Sequence, residues 1–188
     1  MRLILASASP RRAELLAGSG FEFTVRPANV DERLHPDESP EQYVLRVARD
    51  KADAIANECR DAGSTVVAAD TVVVARGEIL GKPADRLDMI RMLTLLSGTV
   101  HDVFTGVVIA TSDRELAAAV RTRVSFVALS PEEIDTYIQT GEPEGKAGAY
   151  AIQGYAARFV DWIDGSWSNV VGLPVATVYQ MLRRVGGA

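Results

Sequence analysis

Leu3-Ile-Leu-Ala-Ser-Ala-Ser-Pro-Arg-Arg12 reads as a strand, a serine turn and the first turn of a helix. Leu3 to Ala6 have the apolar run of a buried strand. Pro10 suits the first helical position, where a missing N–H costs nothing, and Ser9 suits the N-cap. Gly18 is the expected stop. The open N–H groups and the positive end of the helix dipole favour an anion. Arg11 and Arg12 add two guanidinium forks that match phosphate oxygens. Cations are disfavoured at a helix N-terminus unless an anion answers them, so the stretch points to a phosphate-bearing small molecule. Ordinary surface charge is the competing reading.

The bulk numbers narrow the class. A chain of 188 residues with 47% hydrophobic and 24% charged residues can bury a full core, and a single domain over residues 1–188 is expected. A net charge of −5 argues against a nucleic-acid wrapper or an anionic-membrane binder. One cysteine, Cys59, excludes a disulfide framework and reads as an ordinary free thiol near a helix end. There is no run of about 18 apolar residues and no leader pattern, so a cytoplasmic protein with no membrane partner is expected.

Along the chain, Phe21 to Val25 alternates as a strand, and Arg26 to Glu38 is a loop. Ser39-Pro-Glu-Gln42 opens a helix with a capping box. Lys51 falls on the apolar stripe of that helix, four residues from both Val47 and Ile55; it either snorkels or reaches into a pocket. Ser64 to Ala69 is a strand buried on both faces, ended by Asp70-Thr71. A helix over Asp85–Leu96 turns Leu87, Ile90, Met92, Leu93 and Leu96 inward. His101 to Thr111 is a strand interrupted at Thr105-Gly106, and Leu116 to Leu129 follows it through a hairpin. Ser130-Pro-Glu-Glu133 is a second capping box. A glycine-punctuated loop runs from Glu142 to Gly154, Arg158 to Ile163 is a strand, and Val175 to Val185 is a last helix. Alternating strands and helices, with some strands joined by short turns, predict an α/β fold with a mixed sheet.

Several residues invite chemistry. Asp70 at a strand end can hold a divalent metal, act as a general base on water, or merely cap a turn. Lys82 and Lys146 each follow a glycine, which lets backbone approach a phosphate. Neither segment is an ATPase-type P-loop, because the glycine spacing is one residue short and no Ser or Thr follows the lysine. A paired Asp-x-Asp is absent around Asp70, and no Ser-His-Asp set is visible. His101 and His35 are not spaced as a metal pair, and His101 reads as a strand residue with a satisfied ring. Gln153 offers an amide donor beside an acceptor, a match to the edge of uracil or thymine that any loop glutamine could make.

Taken together, the sequence resembles the Maf family of nucleoside triphosphate pyrophosphatases. The resemblance is carried in order by Leu3–Arg12, Val30-Asp-Glu32, Ala69-Asp-Thr-Val72, Leu80-Gly-Lys-Pro83, Leu96-Ser-Gly98 with His101 and Thr105-Gly106, Lys146–Gly154, and Asn169-Val-Val-Gly-Leu-Pro174. Trp167 stands where the pattern suggests Tyr. The resemblance implies a twisted mixed sheet flanked by helices, similar to the inosine triphosphatase-like folds, with a deep nucleotide-binding cleft. It also implies release of pyrophosphate from a nucleoside triphosphate, a divalent cation (Mg²⁺ or Mn²⁺), and a homodimer. Arg11, Thr71 and Gln153 are similar to the dTTP/UTP type; the 7-methyl-GTP type carries Trp, Gln and Glu there.

On that resemblance the triphosphate lies over Ser7 to Arg12 and is neutralised by Arg12, Lys51, Lys82 and Lys146. Glu32 and Asp70 hold the metal, and Asp70 orients or deprotonates the attacking water. Arg11, Thr71 and Gln153 select the base. A pyrophosphatase of the 7-methyl-GTP type, and a non-catalytic nucleotide-binding regulator of septum formation, are the alternatives.

Overall fold

The computed structural model describes residues 2–58 and 63–186, so Cys59 lies outside the described residues. In chain order the elements are β1 (Arg2–Leu5), α1 (Pro10–Gly18), β2 (Phe23–Val25), α2 (Pro40–Glu58), β3 (Ser64–Ala75), β4 (Glu78–Leu80), α3 (Arg86–Leu96), β5 (Val100–Ala110), β6 (Glu115–Phe126) and α4 (Pro131–Gln139). Two 3-10 helices (Ala147–Ala149 and Tyr155–Phe159) precede β7 (Val160–Asp164), α5 (Trp167–Val171) and α6 (Val175–Gly186). The expected mixed α/β sheet is present. Its strands run β2-β1-β3-β5-β6-β7, with β4 paired to β3. β1 is parallel to β2 and β3, whereas β4 on β3 and β7 on β6 are antiparallel.

The described residues fall into two compact units. The first comprises the described residues within Met1–Asp70, Thr105–Val120 and Gly172–Ala188; the second is Thr71–Phe104 and Arg121–Val171.

In the first unit, strand alternation fills two apolar layers. Leu3, Leu5, Val67, Ala69, Val107 and Ile109 pack with Leu16 of α1 and with Val178, Met181 and Leu182 of α6. Ile4, Ala6, Val66, Ala68, Val108 and Ala110 pack with Ala48, Ala52 and Ile55 of α2. Both faces are buried, which is why β1 and the first half of β3 read as unbroken apolar runs. The α2 start is the expected capping box: Ser39 Oγ accepts the Gln42 N–H, and Gln42 Oε1 accepts the Ser39 N–H.

β5 is not interrupted at Thr105-Gly106; it runs through to Ala110. Glycine is there for another reason. A Cβ on Gly106 would sit 2.4 Å from the Val44 carbonyl oxygen, because the backbone of α2 passes directly over the strand. Backbone cannot swing aside as a side-chain tip can. Gly106→Ala is therefore expected to cost about 3 kcal/mol, the upper range for overpacking, read as a lowered denaturation midpoint. An unchanged midpoint contradicts this packing.

In the second unit, α3 begins at Arg86 because Asp85 accepts the Asp88 N–H as its N-cap. That phase buries Met89, Met92, Leu93 and Leu96 and leaves Leu87, expected inward, 75% exposed. The expected strand from Arg158 starts two residues later, since Tyr155–Phe159 closes into a 3-10 helix first.

His101 is buried, with its ring edge-on to Phe126 and Tyr150. Its ring is only half satisfied. One nitrogen, Nε2, lies 2.9 Å from Tyr150 Oη, while Nδ1 has no hydrogen-bond partner among the described residues. Burial pushes the imidazole pKa down to about 4, against a small opposing effect of Asp102. The folded state thus keeps this ring neutral while the unfolded chain protonates it near pH 6.5. Stability from this group is complete above about pH 6.5 and is lost as the pH falls from there to about 4, in total about 3 kcal/mol. Replacing His101 with Phe is expected to flatten that acid limb in denaturation curves recorded across this range. A limb of unchanged slope contradicts the assignment.

Candidate active site

The turn after β1 is held by its own side chains. Ser9 occupies the N-cap of α1 but makes no side-chain cap. Ser7 does the work instead: its Oγ accepts the Ser9 N–H and a hydrogen bond from Arg12 Nη1, both at 3.2 Å. Arg12 is buried, and its Nε donates to the Gly172 carbonyl at 2.7 Å. Gly172 was not singled out as a site residue; its carbonyl is a fixed anchor that no side-chain pattern announces. Burial lowers the Arg12 pKa, and Arg11 adds to this, while Asp70 and Glu32 act in the opposite sense. An arginine stays cationic under such shifts. Arg11 next to it is half-buried.

α2 supplies the second part. Tyr43, Val47 and Lys51 are four residues apart and share one stripe. Lys51 does not snorkel. It points inward, 6% exposed, and its Nζ lies 2.7 Å from Asp70 Oδ1 and 2.6 Å from Glu32 Oε1. One ammonium therefore joins a carboxylate on β3 to a carboxylate on the loop after β2. Asp70 is 7% exposed and does not end its strand; it sits mid-way along β3, which continues to Ala75. A buried carboxylate inside a strand is tolerable because Lys51 answers its charge.

The loop that carries Glu32 is fastened to α2. Tyr43 Oη donates to the Glu32 carbonyl at 2.7 Å, and Arg46 Nη2 donates to the Arg33 carbonyl at 2.9 Å. Arg46 also holds Glu38 through two bonds of 2.7 and 2.9 Å. Asp31 turns to Arg33, leaving Glu32 to face Lys51. Burial, with the Asp70 and Glu32 charges adding, raises the Tyr43 hydroxyl pKa, so it remains a donor. Tyr43 and Arg46 escaped the sequence reading. Tyr43 lies two helical turns before Lys51 on the same stripe, and that spacing was the available signal.

Thr71, Lys82, Lys146 and Gln153 lie in the second unit. Thr71 is half-buried on β3, and Lys82 and Gln153 are exposed. The two glycine-lysine segments are tied together, because the Gly148 N–H donates to the Gly81 carbonyl at 3.1 Å. Gly148 has φ +67°, and a Cβ there would meet Val73 Cγ2 at 2.8 Å, so this crossing needs glycine. Lys146 Nζ donates to the Glu144 carbonyl.

Among the described residues, no group of three or more His, Cys, Asp or Glu is placed to hold a metal. The donor set is two carboxylates, Glu32 and Asp70. That set fits a hard divalent cation whose remaining oxygens come from substrate phosphates and water, as Mg²⁺ is commonly bound, rather than an all-protein cage. Among the described residues, no helix is long and apolar enough to cross a membrane.

The mixed α/β sheet thus carries a buried carboxylate, Asp70, on the Lys51 ammonium, and Arg12 of the serine-arginine turn feels the charges of Asp70 and Glu32. The chain belongs to the Maf family: the model described as Maf-like protein matches residues 2–185. It is 55% identical to a dTTP/UTP pyrophosphatase from Anaeromyxobacter sp. (strain Fw109-5), over 98% of this chain and 90% of that one. It is 51% identical to a dTTP/UTP pyrophosphatase from Geobacter sulfurreducens, over 98% and 97% of the two chains. A dTTP/UTP pyrophosphatase from Myxococcus xanthus is 51% identical, over 98% and 92%.

Proposed function

We propose that the chain hydrolyses dTTP and UTP to the nucleoside monophosphate and pyrophosphate. The observation that carries this reading is the Lys51 ammonium held between Asp70 and Glu32. The names of relatives at half identity or more supply the substrate class.

In this reading Asp70 accepts a proton from a water molecule as that water attacks the α-phosphorus. The bond between the α-phosphorus and the α–β bridging oxygen breaks, and the bridging oxygen leaves with pyrophosphate. Charge builds on the phosphoryl oxygens and on the leaving group, and Arg12, Lys51, Lys82 and Lys146 are assigned to offset it, because positioning and charge stabilisation dominate this chemistry. Glu32 and Asp70 would hold the divalent cation, which when bound neutralises phosphate charge. Ser7 keeps Arg12 aimed through its hydroxyl. Arg11, Thr71 and Gln153 are assigned to base selection.

The test is a substrate panel of dTTP, UTP, CTP, 7-methyl-GTP and ATP, each with Mg²⁺ or Mn²⁺. Pyrophosphate and single phosphate are assayed separately. Pyrophosphate from dTTP and UTP is the expected result. Pyrophosphate mainly from 7-methyl-GTP overturns the assignment of Arg11, Thr71 and Gln153. Nucleotide binding without turnover overturns the hydrolytic reading itself.

A further inference from the structure

Glu142 follows α4 in the second unit, and its carboxylate is used three times. Oε1 accepts a hydrogen bond from Tyr137 Oη at 2.8 Å and from the Ala156 N–H at 3.3 Å, and Oε2 accepts from the Tyr155 N–H at 2.8 Å. The two amides belong to the first turn of the 3-10 helix Tyr155–Phe159, whose N-cap, Gly154, has no side chain to offer. Tyr137 is fully buried, and its Oη also accepts the Ala151 N–H at 3.1 Å. The chain from Ala151 to Ala156 is therefore gripped at both ends by one linked pair of side chains.

Gly154 completes the grip. A Cβ there would lie 1.9 Å from Glu142 Oε2, so the carboxylate occupies the space that any other residue would need. Between the two gripped ends, Ala151, Ile152 and Ala156 are buried, and Gln153 alone of this stretch is exposed. Fixed backbone on either side of an exposed amide is a device for aiming it. An amide on a loose loop reaches the edge of uracil, with its N3–H donor, and the edge of cytosine, with its N3 acceptor, about equally. An amide whose Cα is held meets the base at a fixed depth and angle, so the edge that suits that placement is reached at lower ordering cost.

We propose that Glu142 and Tyr137 are positioning residues that hold Gln153 for pyrimidine discrimination. This rests on the reading above that Gln153 meets the base. The signal in the sequence is Gly154 itself, a glycine required by a carboxylate twelve residues before it.

The test compares kcat/KM for UTP and CTP in the wild type, Glu142→Gln, Tyr137→Phe and Gln153→Ala. Tyr137→Phe removes both tyrosine hydrogen bonds while keeping the ring, and it serves if Glu142→Gln does not fold. The expected result is that the UTP-to-CTP ratio falls at least about tenfold in each variant, through KM, with kcat on UTP changed less than about threefold in Glu142→Gln and Tyr137→Phe. A ratio that falls in Gln153→Ala but holds in the other two overturns the positioning role and leaves Gln153 in place. A ratio that holds in Gln153→Ala overturns the reading of Gln153, and the positioning role with it. Equal losses for UTP and CTP in Glu142→Gln and Tyr137→Phe mark a merely structural role and also overturn the proposal.

Discussion

Replacing Asp70 with Asn is expected to lower kcat for pyrophosphate release from dTTP by at least about 100-fold, the scale of a lost general base. Asparagine keeps the shape of the side chain, and its carbonyl oxygen can still accept from Lys51 Nζ, which lies 2.7 Å from the present Oδ1. Lys51 also keeps its second partner, Glu32, at 2.6 Å. The fold should therefore hold, and melting should shift little. At saturating divalent cation, with one negative charge removed from beside the phosphates, KM should not rise. A kcat loss at constant or lower KM separates a base from a mere binding group. Steady-state assays on the variant decide the point, and a kcat within about tenfold of wild type removes Asp70 from the role.

The second large effect is on stability. Lys51→Met keeps the length of the stem but removes the ammonium that two carboxylates share. Breaking a buried pair from one side costs about 3–5 kcal/mol, because the remaining charge is left without compensation. Asp70 is the charge at issue, since it is nearly as buried as Lys51, while Glu32 is partly open to solvent. For a chain of this length the loss corresponds to a drop of roughly 10 °C in Tm. A divalent cation would take the place of the missing ammonium between the carboxylates. Mn²⁺ is therefore expected to raise the Tm of Lys51→Met more than that of the wild type, by the mass action of binding the folded state. Thermal melts with and without Mn²⁺ test this. A variant that melts like the wild type contradicts the burial argument, and one that Mn²⁺ leaves unmoved contradicts the carboxylate pair as a cation site.

Much of this arrangement was legible because local rules and tertiary packing agree. Ser39 and Ser130 announced their capping boxes, and both form as expected. Lys51 was visible as a charge on an apolar stripe, though the stripe alone left its direction open. What local rules missed was decided by contacts distant in sequence. Gly106 looks like a break in β5 until α2 is laid across it. Asp70 looks like the end of a strand until Lys51 makes a buried charge acceptable inside one. Ser9 sits at the N-cap without a side-chain cap, and the turn is held instead by Ser7, whose Oγ accepts from both the Ser9 N–H and Arg12 Nη1. Leu87 fits an apolar stripe, but the Asp85 cap sets a phase that leaves it outside. Glu142 carries no motif at all, since its partners are backbone amides and a buried tyrosine hydroxyl.

In the proposed reaction water attacks the α-phosphorus. Hydrolysis of dTTP in water enriched in heavy oxygen, followed by mass analysis of both products, tests it most directly. The expected result is one heavy oxygen in the thymidine monophosphate and none in the pyrophosphate. Label in the pyrophosphate would mean attack at the β-phosphorus, and would contradict it.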